Sequence, residues 1–313
     1  MNHDVPQETI MRVTQNITTN TLISYINQQA GNLLKTQQQI ASQKRINKSS
    51  DDPIGMGQVL GYRNKIAVTD QYQENIERGM TRIEFNELTL DFASDLVDTA
   101  GELAAEYSGS TQTAATRQSV ALQVKDIYDQ VMQMANSKFN GNYIFAGHAT
   151  NTEPFSHLPD FTATYDGDEG DFQIMVSDGV EVNLVADGRK IFQNAANGGV
   201  NIFDELKNLI DGLEHPDPVA GSAQIEAAVK VLQDGRDQIN DSRSEYALSL
   251  YRLQAADEYL TNLRPKVEEA MATLEQADLT KAVVELQNLE LAYETTIATA
   301  ARIIQPSLLD FLR

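Results

Sequence analysis

Cysteine is absent from all 313 residues, which removes disulfides, thiolate metal sites and thiol nucleophiles together. Basic residues are scarce. Only 24 Lys and Arg stand against 45 Asp and Glu, a formal net charge of -21, so the chain repels nucleic acid phosphates and anionic lipid surfaces at long range. No apolar run is long enough to span a bilayer, and the first residues, with Asp4 and Glu8, do not make a cleavable secretory signal. Any export would use another route. Also missing are a glycine-rich phosphate loop, a Gly-x-Ser-x-Gly elbow and a His-Glu-x-x-His zinc motif. The four histidines, His3, His148, His157 and His215, are scattered. The acidic run Asp166, Asp168, Glu169, Asp171 lacks the ligand order of a calcium loop and reads as turn chemistry. Nothing here supports catalysis, a metal or a cofactor.

What is present is helical periodicity over a 41% hydrophobic composition, enough for real cores. Near the N-terminus Ile23, Ile26, Ala30, Leu33, Gln37, Ile40 and Lys44 step by alternating threes and fours, the spacing of a coiled-coil seam. The C-terminus repeats it with Ala282, Leu286, Leu289, Tyr293, Thr296, Ala300 and Ile303, so the two ends can pair. Polar interruptions leave such a pair marginal alone, which implies that neighbouring chains complete its burial. Beyond Pro306, the apolar tail Leu308, Leu309, Phe311 and Leu312 is expected to serve subunit packing.

Between these ends, Asp52 before Pro53 predicts an N-cap and the first turn of a helix. The stripe Tyr62, Ile66, Ile76, Met80, Ile83, Leu90 and Val97 continues that helix to Ser108-Gly109-Ser110. Val120, Val124, Ile127, Val131 and Met134 form a returning helix, expected to close a hairpin with the first. After Asn140 the period changes to two: Phe172 to Val176 and Val180 to Leu184 flank the turn Ser177-Asp178-Gly179, a β-hairpin, with a further strand at Phe161 to Tyr165. Helix resumes near Ile202, breaks at His215-Pro216-Asp217-Pro218 and continues through Ile225, Leu232, Ile239, Tyr246, Leu253 and Leu260. Pro265 within that pattern predicts a kink or a restart. The fold class is therefore mainly α, terminal coiled-coil helices and a long-helix bundle with a small β-rich insertion. The expected segments are 1–45 (tail and inner helix), 46–141 and 202–280 (the helical domain), 142–201 (the β-rich insertion) and 281–313 (inner helix and tail).

The motifs Arg45-Ile46-Asn47 with Ser50-Asp51-Asp52-Pro53, then Phe139-Asn140-Gly141-Asn142-Tyr143-Ile144-Phe145-Ala146-Gly147, resemble the flagellin superfamily, and within it the hook-associated proteins of the hook-filament junction. Leu274-Glu275-Gln276-Ala277-Asp278-Leu279 is similar to that family's acidic signature before the last helix, and Ala301 to Leu312 to its terminal segment. The Asp-Gly turns at 166–167, 178–179 and 187–188 resemble the β-insertion of hook-associated proteins. Lys48-Ser49, Pro265 and the leading ten residues depart from the pattern, and Met11 is an alternative start. The resemblance implies a non-enzymatic subunit of the bacterial flagellum, extracellular and exported without a cleaved signal. Its implied partners are hook-associated protein 1, flagellin, further copies of itself and an export chaperone. A filament-forming flagellin is the nearest alternative, and a hydrolase or ligand-binding module in the insertion a more distant one.

Overall fold

The computed structural model describes residues 7–109, 112–184 and 187–311, with side chains described from residue 17 to residue 302 of these. The chain divides into two compact units, residues 1–67 with 264–313, and residues 68–263. Helices α2 (Pro53–Tyr107) and α6 (Pro218–Glu275) run from one into the other.

In the first unit, α1 (Gln7–Ser42) packs along α7 (Leu279–Phe311). Helix α1 stops where Gln43 takes a left-handed conformation, φ 59°, which turns the chain toward α2. Helix α6 passes through Pro265 without a restart, contrary to one of the two outcomes expected from sequence. The missing N–H removes one bond from a 58-residue ladder, a local loss that the flanking turns sustain.

The second unit is built on a long antiparallel pair. Bonds from Gln73 to Thr261 (3.1 Å), Asn86 to Tyr246 (3.3 Å) and Arg243 to Glu87 (2.6 Å) fix the register of α2 against α6. The buried stripe on α2 alternates large and small residues: Ile76, Gly79, Ile83, Asn86, Leu90, Ala93, Val97, Ala100, Ala104. Helix α6 answers with Ile225, Ala228, Leu232, Gly235, Ile239, Ser242, Tyr246, Ser249 and Leu253. Both stripes keep the strict three-four alternation of knobs into holes, and their glycines admit side chains from other elements, Ile174 at Gly79 and Ile202 at Gly235.

Helix α3 (Ala114–Ala135) is capped by Thr113, whose hydroxyl accepts from the Thr116 N–H. Sequence periodicity pairs it with α2, but its closest helix is α5 (Ile202–Glu214). Lys125 meets Glu214 at 2.6 Å and the Arg117 guanidinium donates to the His215 carbonyl at 3.2 Å. Among the described residues the strands form three separate antiparallel hairpins: β1 (Lys138–Phe139) with β2 (Asn142–Tyr143), β3 (Phe155–His157) with β4 (Ala163–Tyr165), and β5 (Phe172–Ser177) with β6 (Val180–Leu184). A short helix α4 (Gly188–Phe192) follows. These pieces share one apolar core with the helices. Phe145, Phe155 and Phe192 stack edge to face at centroid distances of 5.5 to 5.6 Å, and Phe155 continues to Phe203 of α5 at 5.4 Å. The β5–β6 hairpin is tied to both long helices: Asn75 donates to the Met175 carbonyl (3.2 Å) and Ser249 to that of Asn183 (2.8 Å). Gly79 leaves the space that Ile174 occupies.

Candidate functional site

The segment between α1 and α2 is held by the segment between α6 and α7, all within the first unit. The Arg45 N–H donates to the Glu275 carbonyl at 2.7 Å and the Ala277 N–H to that of Gln43 at 3.0 Å, with Lys44 and Gln276 in an antiparallel bridge. The Arg45 guanidinium then divides its donors between the Leu274 carbonyl (3.1 Å) and the Asp52 carboxylate (3.2 Å). Ile46 drives the loop inward, buried to 1% exposure. The Asn47 side chain donates to the Lys44 carbonyl at 2.9 Å, and Ser50 lies exposed in the turn that follows.

Two adjacent carboxylates close the loop in different ways. Asp51 accepts from the N–H groups of Asn47 (3.2 Å) and Lys48 (3.0 Å) and meets Lys35 of α1 at 3.2 Å. Asp52 accepts from the Gly55 N–H at 2.9 Å, capping α2 with Pro53 in the first turn as its sequence predicts. Gly55 is required by space: a methyl there would come within 2.5 Å of the Asp52 carboxylate and 2.7 Å of Ile46 Cδ1. The Gly55 N–H and the Arg45 guanidinium hold the Asp52 carboxyl below the usual carboxylate range. A depressed folded-state value means the cap is fully effective above the unfolded value near 4 and weakens as pH falls through it and below. Asp52→Ala removes the acceptor, and the first-turn amides of α2, Gly55 above all, are expected to exchange about tenfold faster, read by amide hydrogen exchange.

The most buried charge here is Glu275, which in the sequence stands out only as part of the acidic signature before the last helix. Glu275 is 5% exposed and receives Lys44 Nζ at 2.9 Å together with the Arg63 guanidinium. Its sequence signal is phase: Glu275 follows Val267 and Met271 at four-residue steps, so a carboxylate falls on the inward side of α6 and needs cations there.

Along the terminal pair, Ile26, Ala30, Leu33 and Ile40 of α1 are partly buried, as are Leu286, Leu289 and Tyr293 of α7, while Ala282 and Ala300 are buried. Ile23 is exposed at 49%. Its place in the stripe is taken by Leu22, and Gln29 and buried Thr36 fill the corresponding positions further on, so the covered stripe of α1 reads 22, 26, 29, 33, 36, 40. The side chains of Ile303, Leu308, Leu309 and Phe311, and Leu312 altogether, lie outside those described. Outward on the same helices Tyr25, Leu34, Val284, Leu291 and Ile297 are exposed apolar side chains. One partner helix covers one face only, and the pair keeps further apolar surface available for packing.

Among the described residues no group of three or more His, Cys, Asp or Glu could hold a metal. The acidic run of the insertion disperses to separate partners. Asp168 accepts from the His148 and Gly170 N–H groups (2.7 and 3.0 Å), which hold its carboxyl below the usual range, Asp171 accepts from Asn183 (2.8 Å), and Glu169 pairs with Arg189 (2.7 Å). No described helix is long and apolar enough to cross a membrane.

Residues 13–150 match the family model of the bacterial flagellin N-terminal helical region. Flagellar hook-associated protein 3 of Salmonella typhimurium is 26% identical over 241 residues, covering 72% of this chain and 75% of that protein. Flagellin FlaB1 of Treponema pallidum is 23% identical over 88% of this chain and 91% of its own length. The crystal structure of flagellar hook-associated protein 3 from Legionella pneumophila superposes with a TM-score of 0.62 at 13% identity, over 68% of this chain and 98% of that one, a likeness of fold.

Proposed function

From the match of residues 13–150 to the flagellin N-terminal helical region, we propose a structural, non-enzymatic protein of the flagellum, an adaptor at the hook-filament junction that joins hook-associated protein 1 to the flagellin filament. The observation that carries this reading is the terminal pair α1 and α7, whose seam is only partly buried and whose outer faces keep Tyr25, Leu34, Val284 and Leu291 exposed. Such helices gain order from neighbours. Copies of the same chain supply some of them, and hook-associated protein 1 and flagellin supply the others. A separate adaptor is needed because stacked contacts in a helical assembly are heterologous: the lower face fits one protein and the upper face another. The protein reaches that place outside the cell through the flagellar export apparatus, with its tail escorted by an export chaperone.

The family motif, Arg45 to Pro53, sets the direction in which α2 leaves the terminal pair, and Leu308, Leu309, Phe311 and Leu312 pack against neighbouring subunits. Deleting residues 308–312 is expected to leave the melting of the second unit unchanged and to abolish filament attachment, scored as motility and as filaments shed into the medium. Full motility after the deletion rejects the role of the tail. The likeness to Treponema flagellin over most of the chain favours a second reading, a filament subunit. Gold labelling of epitope-tagged protein separates the two: label confined to filament bases supports the adaptor, and label along the filament length supports the flagellin.

A further inference from the structure

The net charge of this chain is confined to one of its two units. Residues 1–67 with 264–313 carry 12 Lys and Arg and 12 Asp and Glu, a balance of zero, whereas residues 68–263 carry 12 against 33 and hold all of the -21. The cations of the acidic unit are largely engaged within it. Arg78, Lys125, Arg189, Lys207, Arg236 and Arg243 form internal ion pairs, and Arg82 lies over the Phe172 ring at 4.6 Å. The surplus carboxylates face water. On α6, Asp234, Asp237, Asp241 and Glu245 are all exposed at three- and four-residue steps, an arrangement in which like charges repel even within one helix.

We propose that this partition is an electrostatic brake on self-association: the neutral terminal unit associates with further copies, while the acidic unit opposes their approach until cations screen it. The inference rests on the reading of the chain as an assembly subunit. Its physics is that of screening. At about 10 mM salt the Debye length, roughly 30 Å, is of the order of a domain diameter, so two acidic units repel as whole charges. At about 150 mM it is roughly 8 Å, and only carboxylates in near contact still repel. The consequence is a chain that stays single at low ionic strength and whose homotypic contacts strengthen steeply with salt, while a neighbour whose facing surface is less acidic meets less opposition.

Sedimentation velocity of the full chain from 10 to 500 mM NaCl tests this, with KCl at equal ionic strength as a check on ion identity. The apparent association constant is expected to rise at least tenfold between 10 and 150 mM, alike in both salts. A variant carrying Asp234→Asn, Asp241→Asn, Glu245→Gln and Glu102→Gln, all exposed positions, should reach half-association at no more than half the parental salt concentration, its melting curve verifying that it folds. Salting-out of apolar faces alone would leave that variant unmoved. A salt-independent mass, a variant identical to its parent, or a chain that is monomeric at every salt concentration overturns the proposal. Label along whole filaments in cells, with salt-dependent association intact, would instead reject the junction reading and leave this one standing.

Discussion

Gly147→Ala is expected to destabilise the second unit by about 3 kcal/mol, the sum of a left-handed backbone penalty and a steric collision. Gly147 has φ +67° and is buried, and a methyl group on it would overlap both the carboxylate and the backbone carbonyl of Asp168. Relief requires moving the 165–170 loop. That loop is held by the bonds Asp168 accepts from His148 and Gly170, and by the Tyr165 hydroxyl, which lies 2.9 Å from the Asp168 carbonyl and 3.1 Å from that of Phe145. Phe145 is fully buried beside Phe192, so displacement reaches the aromatic core. For a unit of this size the melting temperature should fall by about 6 to 12 °C. Gly141→Ala provides the contrast. Gly141 also has positive φ, +85°, but nothing lies within 4 Å of its added methyl, so about 1 kcal/mol is expected. Equal losses at both sites would show that the Asp168 contact is not the cause.

Removing the Glu275 carboxylate is expected to loosen the first unit and leave the second intact. Glu275→Ala strands Lys44 and Arg63 without their shared acceptor and leaves a polar gap beneath the 43–52 loop. Breaking a fully buried pair costs about 3 to 5 kcal/mol, but both cations are close to half exposed and can rehydrate, which brings the expected loss to about 2 kcal/mol. Amides of residues 43–56 and 276–290 should then exchange some tenfold or more faster, whereas core amides of α2 such as Ile83 and Leu90 keep their protection. Glu275→Gln, which retains shape and one acceptor, should fall between the two. Unchanged exchange around the loop in the alanine variant would mean that the backbone bonds from Arg45 and Ala277 suffice by themselves.

How far these features were legible depended on which physical signal carried them. The N-cap at Asp52, the helix break at Pro216 to Pro218 and the β5–β6 hairpin rest on local chemistry: a carboxylate beside free N–H groups, a residue without N–H, a glycine at φ +68°. The β1–β2 hairpin turns on Asn140-Gly141, whose φ values of 52° and 85° suit a two-residue turn, but strands of two residues are too short to carry an alternating pattern. The α2–α6 seam was half visible. Apolar periodicity selects Ile76, Ile83, Leu90 and Val97, but not Gly79, Ala93 and Ala100, which contribute by smallness, nor Asn86, which contributes its bond to Tyr246, and both contributions show only against what packs there.

By itself, then, the order of residues determined the long helices and the β5–β6 hairpin, the pairing of the termini, the acidic excess and the absence of thiol chemistry, because each follows from neighbours along the chain or from composition. Tertiary structure decided which side of α1 is covered, at Leu22 rather than Ile23, that α3 sits against α5, and that Glu275 draws Lys44 and Arg63 together across more than 200 residues of sequence. Those outcomes turn on which surface meets which. Helical periodicity leaves two adjacent faces nearly equal in apolar content, and only the shape and charge of the partner break the tie.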